Sequence, residues 1–226
     1  MAWLSQRADF KPEEFYKIIF QKGYSVMWEK SSICPCVAKD REGQPDFNCP
    51  LCFGKGRYWF DPKSILGIMT SFANESKWNQ TGEYLQGTSY FTCMPENKLG
   101  FWDRITNINS KIRYSEVVER GRYNASNSDK LKFKPIQTIG LRTITTVYKA
   151  NIDFKLNEAD STIEWGLGGL EPVVGEQYSV EYILHPKWIV IDLVNVLRDT
   201  QVKYKKPGVQ FQEMPVRAMV RLEFFC

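Results

Sequence analysis

A mainly β fold, a sandwich or barrel domain preceded by a short N-terminal helix and a cysteine-bearing ribbon, is the class this sequence predicts. Three observations carry it. About ten short apolar or alternating runs, punctuated by turn signals, fill the chain from Ser64 onward. A single stretch near the start has the signals and spacing of a helix. Four of the six cysteines crowd into residues 34–52. The expected organisation is an N-terminal module over residues 1–62 and a β domain with loop insertions over residues 63–226.

The elements follow in order. Asp9 and Phe10 precede Lys11, Pro12, Glu13 and Glu14, so proline and two acids occupy a first turn where donors are missing and the dipole is positive. Phe15, Ile18 and Ile19 then recur at helical spacing, and Gly23 reads as the stop. Residues 24–30 alternate like a strand leading into the cysteines, and residues 57–60 lead out of them. Asp61-Pro62 reads as the exit from the module. Strands are expected over residues 65–69, 89–93, 112–118 and 141–148, with a hairpin from 152–156 to 162–165. Tyr178, Val180, Tyr182 and Leu184 alternate with Ser179, Glu181 and Ile183. Val216, Ala218, Val220, Leu222 and Phe224 do the same in a final strand. Residues 74–87, 120–130 and 203–214 read as exposed loops.

The cysteines stand as Cys34-Pro35-Cys36 and Cys49-Pro50-Leu51-Cys52, joined by a polar turn. A tetrahedral metal site needs four soft donors converging on one point, and pairs one or two residues apart bring two sulfurs to one side of it. Prolines inside both pairs stiffen the corners, and Gly54 and Gly56 let the backbone turn closely. One structural Zn²⁺ held by Cys34, Cys36, Cys49 and Cys52 is therefore expected; two disulfides or four unligated thiols are the alternatives. Met1-Ala2-Trp3 runs into polar residues without a secretion signal's pattern, so a reducing cytoplasm is the expected setting. Lys39, Arg41, Lys55 and Arg57 would offset the charge of a zinc tetrathiolate. Cys93 and Cys226 are expected to stay free.

Composition narrows the function. Hydrophobic residues make up 43 % and aromatic ones 14 %, which excludes a disordered chain. A net charge of +4, spread along the chain, does not announce a nucleic-acid binder. No apolar run is long enough to span a membrane as a helix. The one histidine, His185, stands before Pro186 at a turn, and no nucleophile elbow, phosphate loop or dinucleotide fingerprint occurs. No enzymatic activity is expected.

Residues 49–56, Cys-Pro-Leu-Cys-Phe-Gly-Lys-Gly, resemble one C-x-x-C-x-G-x-G unit of DnaJ-type zinc regions. Those regions carry four such units, so their chaperone role does not transfer. The wider pattern resembles head–tail joining proteins of tailed bacteriophages (neck, stopper or head-completion proteins). Its carriers are the two cysteine pairs, the aromatic run after them, residues 99–105 and 113–118, Ile163-Glu164-Trp165 and residues 178–182. The resemblance implies a virion protein of the neck, assembled in the host cytoplasm. There it would form a homo-oligomeric ring between a portal or adaptor protein and tail-side proteins. It implies non-specific contact with packaged DNA, for which Lys203, Lys205 and Lys206 are the candidates. A zinc-containing nucleic-acid-binding module and a tail or baseplate component are the alternatives.

Overall fold

The computed structural model describes residues 12–37, 43–46, 49–52, 54–71, 86–122, 127–193, 199–203 and 209–225. The chain is mainly β, with one α-helix, α1 (Pro12–Lys22), among these residues. It divides into two compact units, residues 1–107 with 187–226, and residues 108–186. That division differs from the expected one at residue 62, because the strands flanking the cysteines continue into the body of the first unit.

In that unit α1 has its acids Glu13 and Glu14 in the first turn and Lys22 in the last, matching the helix dipole. Ile19 is buried, but Ile18 is exposed, so the apolar stripe is narrower than the spacing suggests. Gly23 ends the helix through close packing: a Cβ there would lie 2.2 Å from Ile19 O. The strands β1 (Tyr24–Ile33), β2 (Arg57–Ser71), β3 (Thr88–Cys93) and β4 (Arg104–Thr106) follow.

The chain then builds the second unit from β5 (Ile112–Glu119), β6 (Ser128–Lys130), β7 (Gln137–Arg142), β8 (Val147–Tyr148), β9 (Phe154–Asn157), β10 (Thr162–Trp165) and β11 (Gln177–Leu184). It returns to the first unit as β12 (Lys187–Asp192), a hairpin of β13 (Asp199–Lys203) with β14 (Val209–Glu213), and β15 (Val216–Leu222). The first unit is a closed barrel in the order β1-β2-β3-β15-β12-β4. Its core is Val26, Trp28, Ile65, Phe91, Cys93, Leu99, Ile105, Val190, Ala218 and Val220. Phe91 lies across Gly67, where an added Cβ would meet its ring at 2.3 Å, so only glycine fits.

The second unit has a four-stranded sheet, β5-β11-β7-β8, and a three-stranded one, β6-β10-β9. The alternation in β11 is as expected: Tyr178, Val180, Tyr182 and Leu184 are all 0–2 % exposed. Apolar side chains so deeply buried stabilise by about 1.5–3 kcal/mol each. The expected hairpin is β9 with β10, paired Asn157 to Thr162.

Several expectations need correction. Residues 120–130 are not simply a loop: Asp129 lies in β6, and Arg120 and Asp129 are buried at 4 % and 2 %. Residues 141–148 are two strands about a turn at Thr143–Thr146, where the Thr143 N–H donates to Thr146 O. The final strand ends at Leu222, and Phe224 and Phe225 fall in a 3-10 turn. Most of residues 203–214 that the structure describes are strand, Lys203 closing β13 and residues 209–213 forming β14. Most of the expected 74–87 loop lies outside the described residues.

Asp61-Pro62 is a β-bulge inside one continuous strand, not an exit. The pairing slips from Trp28–Lys63 to Lys30–Phe60, so β2 spends one extra residue. Asp61 takes φ 54° there, and Lys30 donates to its carboxylate at 2.6 Å. A bulge tolerates proline because the ladder locally needs no N–H.

Candidate metal centre

Beyond the bulge, residues 30–33 and 57–60 run on as a two-stranded ribbon that ends in the four cysteines. The Cys34 N–H donates to Gly56 O at 2.9 Å, the last rung before the turn. Gly54 and Gly56 take φ 79° and 71°, a left-handed geometry that side-chain-bearing residues rarely adopt. Val37 and Tyr58 pack against the sulfurs.

The four Sγ atoms all lie within 4.8 Å of one another. Cys34 Sγ is 3.6 Å from Cys49 Sγ, and Cys36 Sγ is 3.4 Å from Cys52 Sγ. Both separations exceed a disulfide bond's ~2.0 Å, and all four cysteines are free thiols. A tetrahedron of sulfurs about 2.3 Å from a central ion has edges of about 3.8 Å. The donor set therefore fits a four-coordinate ion, and the cluster can hold a metal.

Electrostatics agree. The Cys52 and Leu51 N–H groups aim at Cys49 Sγ and hold its pKa down to about 7. The Asp46 N–H acts the same way on Cys36, but desolvation and the neighbouring sulfurs outweigh it and push that thiol up to about 12. The Cys36 N–H likewise favours a Cys34 thiolate, and burial beside Cys49 and Cys52 reverses it, leaving that thiol raised. A cation at the centre would relieve this crowding.

The basic residues near the site serve other ends. Lys55 donates to Glu223 at 2.6 Å, and the Arg57 guanidinium lies 4.8 Å from the centre of the Trp102 ring. Lys39 and Arg41 lie outside the described residues. The ribbon is instead fastened to the barrel through Asp103, a residue the sequence does not single out. Its buried carboxylate accepts from Trp28 Nε1 (2.8 Å), the Ser31 N–H (2.9 Å) and the Gly100 N–H (2.7 Å). Trp59 donates to Trp102 O at 2.9 Å and carries the Arg104 guanidinium 4.4 Å from its centre. Arg104 grips Glu29 with two hydrogen bonds, at 2.7 and 2.8 Å.

Lys187 completes this charged cluster. Burial, then Arg104, pulls its pKa from 10.5 down to about 8. Burial alone would raise Glu223, but Lys55, Arg104 and Lys187 hold it below its ordinary value. The Lys187 shift has a sign that can be measured. Between pH 8 and 10 the unfolded chain keeps the Lys187 proton while the folded chain sheds it, so the contribution of this group to stability rises with pH. The rise should be on the order of 2 kcal/mol. Other groups pull the opposite way. Burial pushes the Cys93 thiol up to about 12 and Cys36 is raised as well, both acting within this window. Tyr178 and Tyr182, raised by burial from 10.0, act above pH 10. Urea melts across pH 8–10 should show the wild type gaining on Lys187→Met by that amount as the pH rises; parallel profiles would refute the assignment.

Lys203 ends β13, while Lys205 and Lys206 lie outside the described residues. Cys93 is buried in the barrel core, and Cys226 lies outside the described residues. His185 Nδ1 is 2.9 Å from Ser110 O, a contact within the fold. No helix among the described residues is long and apolar enough to cross a membrane.

Fold and site together define a β protein whose barrel carries a ribbon tipped by four cysteines that could hold a metal ion. Residues 98–208, just under half of the chain, match a family model described as "Domain of unknown function (DUF4815)". The match covers the whole second unit and omits the cysteines. No curated protein matches the chain.

Proposed function

We propose that the chain is a non-enzymatic structural protein of a tailed-bacteriophage virion, seated in the neck between a portal or adaptor protein and the tail, with Zn²⁺ at Cys34, Cys36, Cys49 and Cys52. One observation carries the structural reading. Four sulfurs, all within 4.8 Å of one another, stand at the tip of a ribbon continuous with two barrel strands and would complete a tetrahedral coordination sphere. Such a site leaves no position for a substrate and acts as a strut. Zinc is the ion of choice because closed, all-thiolate tetrahedral sites suit its soft-donor and geometric preferences. Supporting the non-catalytic reading, the buried acids Asp103, Asp129 and Asp153 all spend oxygens on donors of the fold itself. The neck position rests on the cysteine, aromatic and β-strand resemblances given above.

In a neck ring Lys203, Lys205 and Lys206 of every subunit are the candidates for weak phosphate contacts, which add up around the channel. Particles with all three lysines replaced by Ser should assemble with unchanged zinc content but retain or eject DNA poorly; normal packaging and ejection would remove the DNA role. Imaging of labelled protein in the virion tests the position: density at the neck is expected, and density in the shell or at the tail tip overturns it. A monomer that shifts on DNA and is absent from the particle would favour the nucleic-acid module instead.

A further inference from the structure

Trp102 combines strain with exposure. Its φ is 70°, a conformation costing a bulky residue about 1–3 kcal/mol. Yet its side chain is 42 % exposed, and the neighbouring Phe101 is 54 % exposed. The turn that shows them is held firmly. The Trp102 N–H donates to Val190 O at 2.8 Å, its carbonyl accepts from Trp59, and the Asp103 carboxylate accepts the Gly100 N–H. Arg57 lies over the Trp102 ring and has no carboxylate partner among the described residues. Burial in a core cannot explain an aromatic pair held strained toward solvent. Trp and Arg on a rigid mount are instead the residues that dominate protein interfaces.

The second unit carries a surface of matching chemistry. Leu170, Val173 and Val174 are 63–75 % exposed on one short loop, with Glu171 half exposed between them. This loop is fixed as well: the Leu170 N–H donates to Asp153 (2.8 Å), the Val173 N–H to Glu176 (2.9 Å) and the Gly175 N–H to Arg120 O (2.9 Å). The Glu171 carboxylate stands 3.6 Å from Arg120 Nη2, longer than a charge-assisted hydrogen bond.

We infer that these are the two halves of one self-association contact, Phe101, Trp102 and Arg57 of one copy seating on Leu170, Glu171 and Val173 of the next. The occupant is a second copy because charge and apolar character complement each other within this one sequence. The patches are different, so the contact is heterologous: every copy keeps one free half, and copies join head to tail into a ring or a filament. This deepens the ring element of the proposed function and concerns only how subunits meet.

Sedimentation velocity of the full-length, metal-loaded protein, from micromolar to millimolar concentration, tests it. The wild type should gain mass in steps with concentration. Arg57→Glu and Glu171→Arg should each weaken association about 30-fold, the scale of an interface hot spot. Mixing the two variants should restore it, since each meets its complement on the other. Trp102→Gly should also abolish association while its unfolding midpoint holds or rises, because glycine relieves the backbone strain. A wild type that stays monomeric, a mixture that fails to recover, or a Trp102→Gly variant that melts earlier yet still associates would each overturn the contact. Imaging that moved the protein out of the neck would refute the position and leave this contact standing. A monomer found in the neck would do the reverse.

Discussion

Protein carrying Cys52→Ser is expected to bind well under half an equivalent of zinc and to lose structure only past the Asp61 bulge. Structural zinc sites supply about 10–16 kcal/mol of binding energy in small finger peptides, and that energy is local folding energy. Here the ribbon tip has four sulfurs, Val37 and Tyr58 in place of an apolar core. Without the ion, the rungs at residues 31–34 and 56–59 depend on polar and ring ties to the barrel unit, through Asp103, Trp59, Arg57 over Trp102 and Lys55 to Glu223. Rungs on the other side of the bulge, Tyr24 to Trp28 against Gly67 to Lys63, belong to the closed barrel and cover its core. Hydrogen exchange should therefore show rapid exchange in the tip and intact protection at residues 24–28 and 63–67. A full equivalent of metal in the variant would refute the four-ligand site. Uniform loss of protection around the barrel would refute the boundary.

Asp129→Ala is expected to cost about 3–5 kcal/mol and to act on the second unit. The Asp129 carboxylate accepts from the Gly121 N–H (2.7 Å), Trp165 Nε1 (2.7 Å) and the Tyr178 hydroxyl (2.8 Å), and faces Arg120 at 3.6 Å. Alanine would strand a guanidinium that is 4 % exposed and whose Nε already has no hydrogen-bond partner. It would also leave an indole N–H and a phenol unsatisfied. Trp165, stacked edge-on against Tyr148 and Tyr178 at 5.3 Å, reports the change directly through its fluorescence. A denaturant midpoint within experimental error of the wild type would show that the network is dispensable.

Much of this architecture was legible in the chain, for local reasons. Alternation in β11 is a period-two pattern that any half-buried strand must show, and the cysteine spacing carries its own geometry. What stayed hidden depends on distant partners. The pairing of β3 with β15, Cys93 opposite Val216, joins segments whose sequences say nothing about each other. Arg120 and Asp129 look like loop residues because charge ordinarily implies exposure, and only their mutual neutralisation permits burial. Asp61-Pro62 reads as a break because proline forbids a rung, and a bulge is the one place in a strand where a rung is not wanted. Phe101 and Trp102 lie in the run 99–105, which enters the reading only through its resemblance, and no local signal marks them as a turn turned outward.

That distant pairing also sets an order of events during synthesis. Residues 108–186 leave the ribosome whole before β12 exists, so the second unit has all its strands while the barrel is still missing two of its six. The cysteines close a short loop at small entropic cost, so the ion can be captured earlier still. Barrel closure must wait for β15 and then bridge the entire inserted unit, the kind of long-range step that makes folding slow. Until it arrives, β3 and β4 stand with open edges, the state in which a nascent chain is most prone to pair with the wrong neighbour.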